Sequence, residues 1–248
     1  MTEPEGAPPE PIEIVDENWS TALAIVAHPD DLEYGTAAAI ARWTSQGKRI
    51  TYCLATRGEA GIDAIPPVEA GPLREQEQRA SAAIVGVETV EFLDYRDGVI
   101  EYGLPLRRDI ARVVRRHRPD VVIIGNYHDS WGPGAPNQAD HIAVGRAALD
   151  GVRDAANRWV FTDLVDEGLE PWKASMLLVA GSRLAHHGVD VTDHFATGVA
   201  SLKAHEAYLK GLGDHAMASP EEFLESFARS AGTRLGCRFG VMFEKIGL

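Results

Sequence analysis

Two segments, Leu23-Ala24-Ile25-Val26-Ala27 and Val121-Val122-Ile123-Ile124, are continuously apolar and show none of the polar alternation of a strand with one wet face. Strands of this kind must be covered on both sides, which requires helices on each face of a parallel sheet. The intervening chain supplies them. Helical spacing runs over 33–46 and stops at Gly47, and a strand follows over 49–55. The Gly- and Pro-rich stretch 56–72 reads as a long loop. Further helices are expected over 73–85 and 105–117, from near Asp140, over 196–210 and after Ser219, where Ser219-Pro220-Glu221-Glu222 has the form of a capping box. Strands are expected over 88–93, 120–125, 175–180, 188–191 and 238–243. This alternation predicts an α/β fold, a Rossmann-like, mostly parallel twisted sheet with helices on both faces and right-handed crossovers. The loops at the carboxyl ends of its strands are then where a site belongs.

The 248 residues suit one such domain, expected over 19–248 behind a mobile, acidic and proline-rich tail over 1–18. With 24 Lys+Arg against 37 Asp+Glu the net charge is −13, so no broad basic field attracts nucleic acid or anionic lipid. No apolar run approaches the ~18 residues of a membrane span, and the first residues lack the basic-then-apolar pattern of a signal peptide. Cys53 and Cys237 are too few for a disulfide framework and too far apart for a metal knuckle, which points to a reducing cytoplasm.

Chemistry concentrates in two clusters. His28-Pro29-Asp30-Asp31 follows the first apolar strand directly, and Asp140-His141 follows the long loop 126–138 after the second. Taken alone, the first cluster reads equally well as a turn set by proline with an aspartate capping the next helix. Together, adjacent parallel strands would bring both clusters to one edge. His28, Asp31 and His141 then offer two imidazoles and a carboxylate, a set suited to Zn²⁺ or another divalent transition metal with one position open. Side chains of adjacent residues diverge, so Asp30 can face the water while Asp31 binds metal. A metal that polarises a carbonyl, beside a carboxylate that accepts a proton from water, is machinery for amide hydrolysis.

These residues resemble the PIG-L (LmbE-like) zinc-dependent N-deacetylases, which remove acetyl groups from N-acetylglucosamine-type sugars. AHPDD at 27–31, TRGEAG at 56–61, Leu73-Arg74-Glu75, LDYRDG at 93–98, RPDVVI at 118–123 and ADHIAVG at 139–145 are similar to the family's motifs in order, from about Thr21 to Val152. The resemblance implies metal ligands at His28, Asp31 and His141, a general base at Asp30 and an orienting role for Asp140. It also implies substrate contacts at Arg74, Asp97, Glu59 and His205. Two positions depart from the family. Leu32 stands where an acidic residue often follows the paired aspartates, with Glu33 one place later. Gln138 stands where the family has the first His of His-Pro-Asp-His, a residue that stabilises the oxyanion or protonates the leaving amine. Gln138 can donate a hydrogen bond but cannot act as an acid, and Tyr127, His128 and His205 are the candidates to supplement it.

The expected partner is therefore a small amino-sugar substrate, enclosed by 56–72, 126–138 and 181–195 with Trp131 as a candidate aromatic wall. A homo-oligomer is allowed but not specified. A metal- and sugar-binding module without turnover, or an amidase on a related small amide, would share the same residues. Nucleotide binding is disfavoured because HPDDLEYG replaces a GxGxxG turn.

Overall fold

The computed structural model describes residues 12–248. Its centre is an eight-stranded sheet. In chain order the strands are β1 (Glu13–Ile14), β2 (Thr21–Val26), β3 (Arg49–Leu54), β4 (Thr89–Phe92), β5 (Val121–Ile124), then β8 (Met176–Ala180), β9 (His187–Asp190) and β10 (Gly240–Gly247), a small hairpin β6 (Ser130–Gly132) and β7 (Ala135–Pro136) lying outside the sheet. The strand order is β1-β9-β10-β8-β5-β2-β3-β4. All neighbours pair in parallel except β10, which is antiparallel to both β8 and β9.

Both faces of the apolar strands are buried in alternation. Ala22, Ala24 and Val26 of β2 belong to one core with Ile40, Trp43 and Phe243, while Leu23 and Ile25 belong to the other with Ile110, Val114 and Val144. The first face is covered by α2 (Ala37–Ser45), α7 (Phe195–Lys203) and α9 (Pro220–Leu235), the second by α4 (Leu104–His117) and α5 (Ala139–Ala155). The chain runs outward from β2 through β3 to β4, then crosses back to place β5 on the other side of β2. The order reverses between β2 and β5, and a crevice at such a switch point is where open α/β sheets bind ligands.

Local differences from the sequence reading have identifiable causes. The helix expected over 33–46 is two, α1 (Asp31–Gly35) and α2, because the chain breaks at Thr36. The segment 56–72 is not all loop: α3 spans Pro67–Ile84, with Pro67 in its first turn and Pro72 inside. Pro72 is tolerated because the carbonyl it leaves without a partner belongs to solvent-exposed Val68. The helix over 196–210 breaks at His205 into α7 and α8 (Glu206–Gly211). Ser219 makes no side-chain cap bond, so the expected capping box does not form.

Of the expected tail, residues 1–11 lie outside the described residues, and residues 13–17 are built into the fold. Glu13 and Ile14 pair with His187 and Gly188, Val15 is buried, and Glu17 accepts hydrogen bonds from Arg42, Trp43 and Gln46 at 2.8–3.0 Å. An acidic side chain here is a hub for donors on α2, which composition alone does not reveal. Among the described residues no helix is long and apolar enough to cross a membrane.

Asp120 ties the entrance of β5 to that of β2. Its Oδ2 accepts from the Ser20 and Thr21 amides, each at 2.9 Å, and from Thr21 Oγ1 at 3.0 Å. These bonds, the Ser20 amide first, hold its carboxyl below the usual range. A lowered folded-state pKa contributes stability above the unfolded value of ~3.9 that is lost as pH falls through and below it. Asp120→Asn is expected to cost about 1 kcal/mol at pH 7 and to lose that part of the acid dependence, read by denaturant unfolding at pH 7 and pH 3. Equal stability of the two proteins at pH 7 would contradict this role.

Candidate metal centre

Beyond Val26 the chain turns sharply through Ala27-His28-Pro29-Asp30 into α1. Asp31 folds this turn onto itself, its Oδ2 accepting from the amides of Ala27 at 3.0 Å and His28 at 2.9 Å. His141 arrives from the first turn of α5. Parallel pairing of Ile25 with Ile124 sets the two loops side by side. As a result His28 Nδ1 lies 3.3 Å from His141 Nε2, Asp31 Oδ1 lies 3.0 Å from His141 Nε2, and Asp31 Oδ2 lies 3.7 Å from His28 Nδ1.

The outer nitrogens of the two rings decide what the inner ones offer. His28 Nε2 is 3.0 Å from Asp97 Oδ1 and 3.2 Å from Asp140 Oδ2; ionised carboxylates only accept, so Nε2 carries the hydrogen. His141 Nδ1 is 3.1 Å from Asn137 Oδ1. The Asn137 amide nitrogen donates to the carbonyls of Asn126 at 2.8 Å and His128 at 2.9 Å, which fixes its oxygen as the acceptor of the His141 Nδ1 hydrogen. In its neutral form each imidazole, with its hydrogen held on the outer side, turns a lone pair into the same gap, beside a carboxylate. Two lone pairs at that separation repel unless a cation sits between them. Donors ~2.1 Å from a tetrahedral metal lie ~3.4 Å apart, close to the spacings found here. The His₂Asp set therefore fits a divalent transition metal.

A second trio, His28, Asp97 and Asp140, is also close enough to share an ion. Its carboxylates are otherwise engaged. Asp140 accepts from the Gly98 amide at 2.7 Å and the Ile100 amide at 3.0 Å, and Asp97 from the Ala60 amide at 2.8 Å. Both orient the His28 imidazole, the support a metal-ligating histidine ordinarily receives.

Asp30 stands next to the gap. Burial pushes its carboxyl up to about 6, against the pull of Arg74. Burial also acts on Asp31, but His141 and His28 outweigh it and hold that carboxyl far below the usual range. Arg74, only 2% exposed, donates to Asp30 Oδ2 at 2.7 Å, Pro29 O at 2.8 Å and Gly58 O at 2.9 Å. This explains two glycines of TRGEAG: a Cβ on Gly58, whose φ is +63°, or on Gly61 would stand 2.2 Å from Arg74 Nη1.

The resemblance assigns Arg74, Asp97, Glu59 and His205 to the substrate, and in the structure each of them faces another residue of the protein. Arg74 holds Asp30, Asp97 holds His28, and Glu59 Oε1 accepts the Asp97 amide at 2.9 Å. His205 is fully buried against Glu33. A buried charge requires a partner, and Arg74 and Asp97 have found theirs inside the protein, whereas the ring nitrogens of His205 make no hydrogen bond and stand 3.7 Å from Glu33. Gln138 is exposed at the N-cap of α5. Asn137, Gln78 and Tyr208 escape the sequence reading. The first two have a spacing signal, Asn137 four residues before His141 and Gln78 four after Arg74; Tyr208, whose ring lies 4.4 Å from the Arg74 guanidinium, has none.

Residues 23–152 match the PIG-L family, described as GlcNAc-PI de-N-acetylase. This chain belongs to the PIG-L family. It is 28% identical over 191 residues to the diacetylchitobiose deacetylase of Thermococcus kodakarensis, covering 75% of this chain and 68% of that protein. A 1D-myo-inositol 2-acetamido-2-deoxy-alpha-D-glucopyranoside deacetylase of Thermobifida fusca is 30% identical over 164 residues, covering 54% of this chain and 55% of that one. This chain thus spans little more than half the length of that second relative. The structure of N,N'-diacetylchitobiose deacetylase from Pyrococcus horikoshii, solved with an inhibitor, has a TM-score of 0.84 at 25% identity, covering 93% of this chain and 85% of that one.

Within this PIG-L site the ligand trio and its supports make separate predictions. His141→Ala is expected to abolish stoichiometric zinc binding, measured by elemental analysis after dialysis. Asp97→Asn leaves His28, Asp31 and His141 in place but loosens His28, and should weaken the affinity of the site for a divalent metal such as zinc about 10- to 100-fold. Full zinc retention by His141→Ala would eliminate this trio as the centre.

Proposed function

We propose that this PIG-L protein is a zinc-dependent N-deacetylase that hydrolyses the acetamido group of an N-acetylglucosaminyl compound. The observation that carries the proposal is the convergence of two imidazole lone pairs and one carboxylate beside the buried Asp30, at the switch point of the sheet. Both relatives named above are deacetylases of N-acetylated glucosamine derivatives, which supports the substrate class.

His28, Asp31 and His141 would hold the ion. A bound divalent metal supplies Lewis acidity, polarising the amide carbonyl and making water a competent nucleophile near neutral pH. Asp30 takes the proton from that water. A carboxyl raised to about 6 is ionised at neutral pH and basic enough to accept it. Arg74 fixes Oδ2 of Asp30 and so sets the direction of the carboxylate. Hydrolysis yields acetate and a free amine, whose nitrogen must gain a proton as the C–N bond breaks. Gln138 cannot supply one, and Asp30, having taken a proton from the water, is placed to return it.

Trp131 forms the wall for the sugar. Its ring stands edge-on to His141 with centroids 5.8 Å apart, lies so close over Gly181 that a Cβ there would be 2.5 Å from it, and is 42% exposed. A half-open aromatic face beside the reacting centre suits the apolar face of a pyranose. The two cysteines are free, in keeping with a reducing cytoplasm.

The test is release of primary amine from N,N'-diacetylchitobiose and inositol-linked N-acetylglucosamine by zinc-loaded protein, with a chelated control. Chelator-sensitive release is expected. Asp30→Asn should keep its zinc and lose about 10²-fold or more in kcat. Silence from zinc-loaded protein across the panel would favour a binding module, and normal turnover by Asp30→Asn would remove it as the base.

A further inference from the structure

Asp30 occupies the left-handed region, φ 84° and ψ −21°, without being glycine, and its side chain makes no capping bond to the helix that follows. Such a conformation persists only where the surroundings hold it. Two side chains of α3 do so, four residues apart on one face. Arg74 takes the Asp30 carboxylate and the Pro29 carbonyl, and Gln78 Oε1 accepts the Asp30 amide hydrogen at 3.0 Å.

Gln78 is itself oriented. It is 1% exposed, and its Nε2 donates to Glu33 Oε1 at 2.9 Å. Turning the amide end for end would set an NH₂ group against the Asp30 N–H and an oxygen against a carboxylate. Glu33 Oε1 also accepts from Ser81 Oγ at 2.7 Å, and Ser81 Oγ meets Ser201 Oγ at 2.7 Å. Glu33 Oε2 faces His205 Nε2 at 3.7 Å, both side chains fully buried. The polar partners therefore run from Asp30 through Gln78 to Glu33, and from there to Ser81, Ser201 and His205. These groups have no open face toward a substrate. Their geometry has one outlet, the backbone of Asp30.

We propose that Gln78 is the positioning residue for Asp30: its side-chain carbonyl pins the Asp30 amide in the left-handed turn that aims the carboxylate, and Glu33, backed by Ser81 and His205, fixes which end of the Gln78 amide faces Asp30. This rests on the reading of Asp30 as the base. If the pin is lost, Asp30 relaxes toward the right-handed region and its Cβ swings away, while His28, Asp31 and His141 keep their own supports. A misplacement of about 1 Å in a reacting group is enough to cost about 10²-fold in rate.

The experiment compares Gln78→Met, which fills the space without an acceptor, with the exchanged pair Gln78→Glu plus Glu33→Gln, which keeps one carboxylate, one amide and an acceptor for Asp30. Zinc content, kcat and KM on N,N'-diacetylchitobiose and the inositol-linked glucosaminide, and a crystal structure are obtained for each, with Asp30→Asn alongside. The expected result for Gln78→Met is a kcat lower by about 10- to 100-fold, KM within about twofold, full zinc, and Asp30 outside the left-handed region. The exchanged pair should recover most of the kcat and the left-handed Asp30. An unmoved Asp30 with full kcat in Gln78→Met overturns the proposal, as does failure of the exchanged pair to recover. If Gln78→Met does not fold, Gln78→Asn, polar but one methylene short, carries the same expectation and the same overturning result. Undiminished turnover by Asp30→Asn would instead remove the reading of Asp30 as base, while the position of its backbone in Gln78→Met would still decide what Gln78 holds.

Discussion

A guanidinium almost closed off from water has to be matched by acceptors, and Arg74 finds them in Asp30, Pro29 and Gly58. These belong to two separate loops, the turn after β2 and the glycine-rich segment after β3, so a single side chain from α3 clamps both. Gly58 and Gly61 are required because the guanidinium occupies the space of their missing side chains. The position of Asp30, and with it the separation of Asp30 from Asp31, follows from this buried ion pair.

The candidate metal centre depends on a different constraint, the number of hydrogens an imidazole can carry. Asp97 and Asp140 claim one nitrogen of His28, and Asn137 claims one nitrogen of His141. In the neutral rings the opposite nitrogens are left with lone pairs, and the pairing of β2 with β5 points them at each other. None of the three claiming residues need touch an ion. Their part is to make the ring nitrogens available, and backbone amides of Gly98, Ile100 and Ala60 hold two of them in place. Chemistry at the site and rigidity of the loops around it are consequently one arrangement.

Much of this was legible beforehand. Continuous apolar runs such as Leu23–Ala27 report burial on two faces, and the position of His28-Pro29-Asp30-Asp31 directly after one of them marks a loop at the carboxyl edge. Breaks inside helices were not legible: Thr36 and His205 interrupt patterns whose periodicity carries on across them, and Pro72 sits within a helix whose preceding turn, at Val68, is exposed to solvent. The protein partners of Arg74, Asp97 and His205 were not legible for one reason. A polar residue in a motif looks equally ready to meet a substrate or to satisfy a neighbour, and only burial with a partner in reach distinguishes the two. Glu17, in a segment whose composition suggests a tail, binds α2 for the same reason.

By itself the sequence determined the α/β class and the family and singled out His28, Asp31 and His141, which the structure brings together, because apolar periodicity and motif order are local properties that survive without coordinates. The tertiary structure alone decided which nitrogen of each histidine is free, which charged side chains face inward, and how Gln78 and Glu33 come to stand behind Asp30. Apart from the Asn137–His141 bond, four residues apart, those are relations between residues 44 to 112 positions apart, set by strand pairing and by the cost of leaving buried polar groups without partners, and no local pattern encodes them.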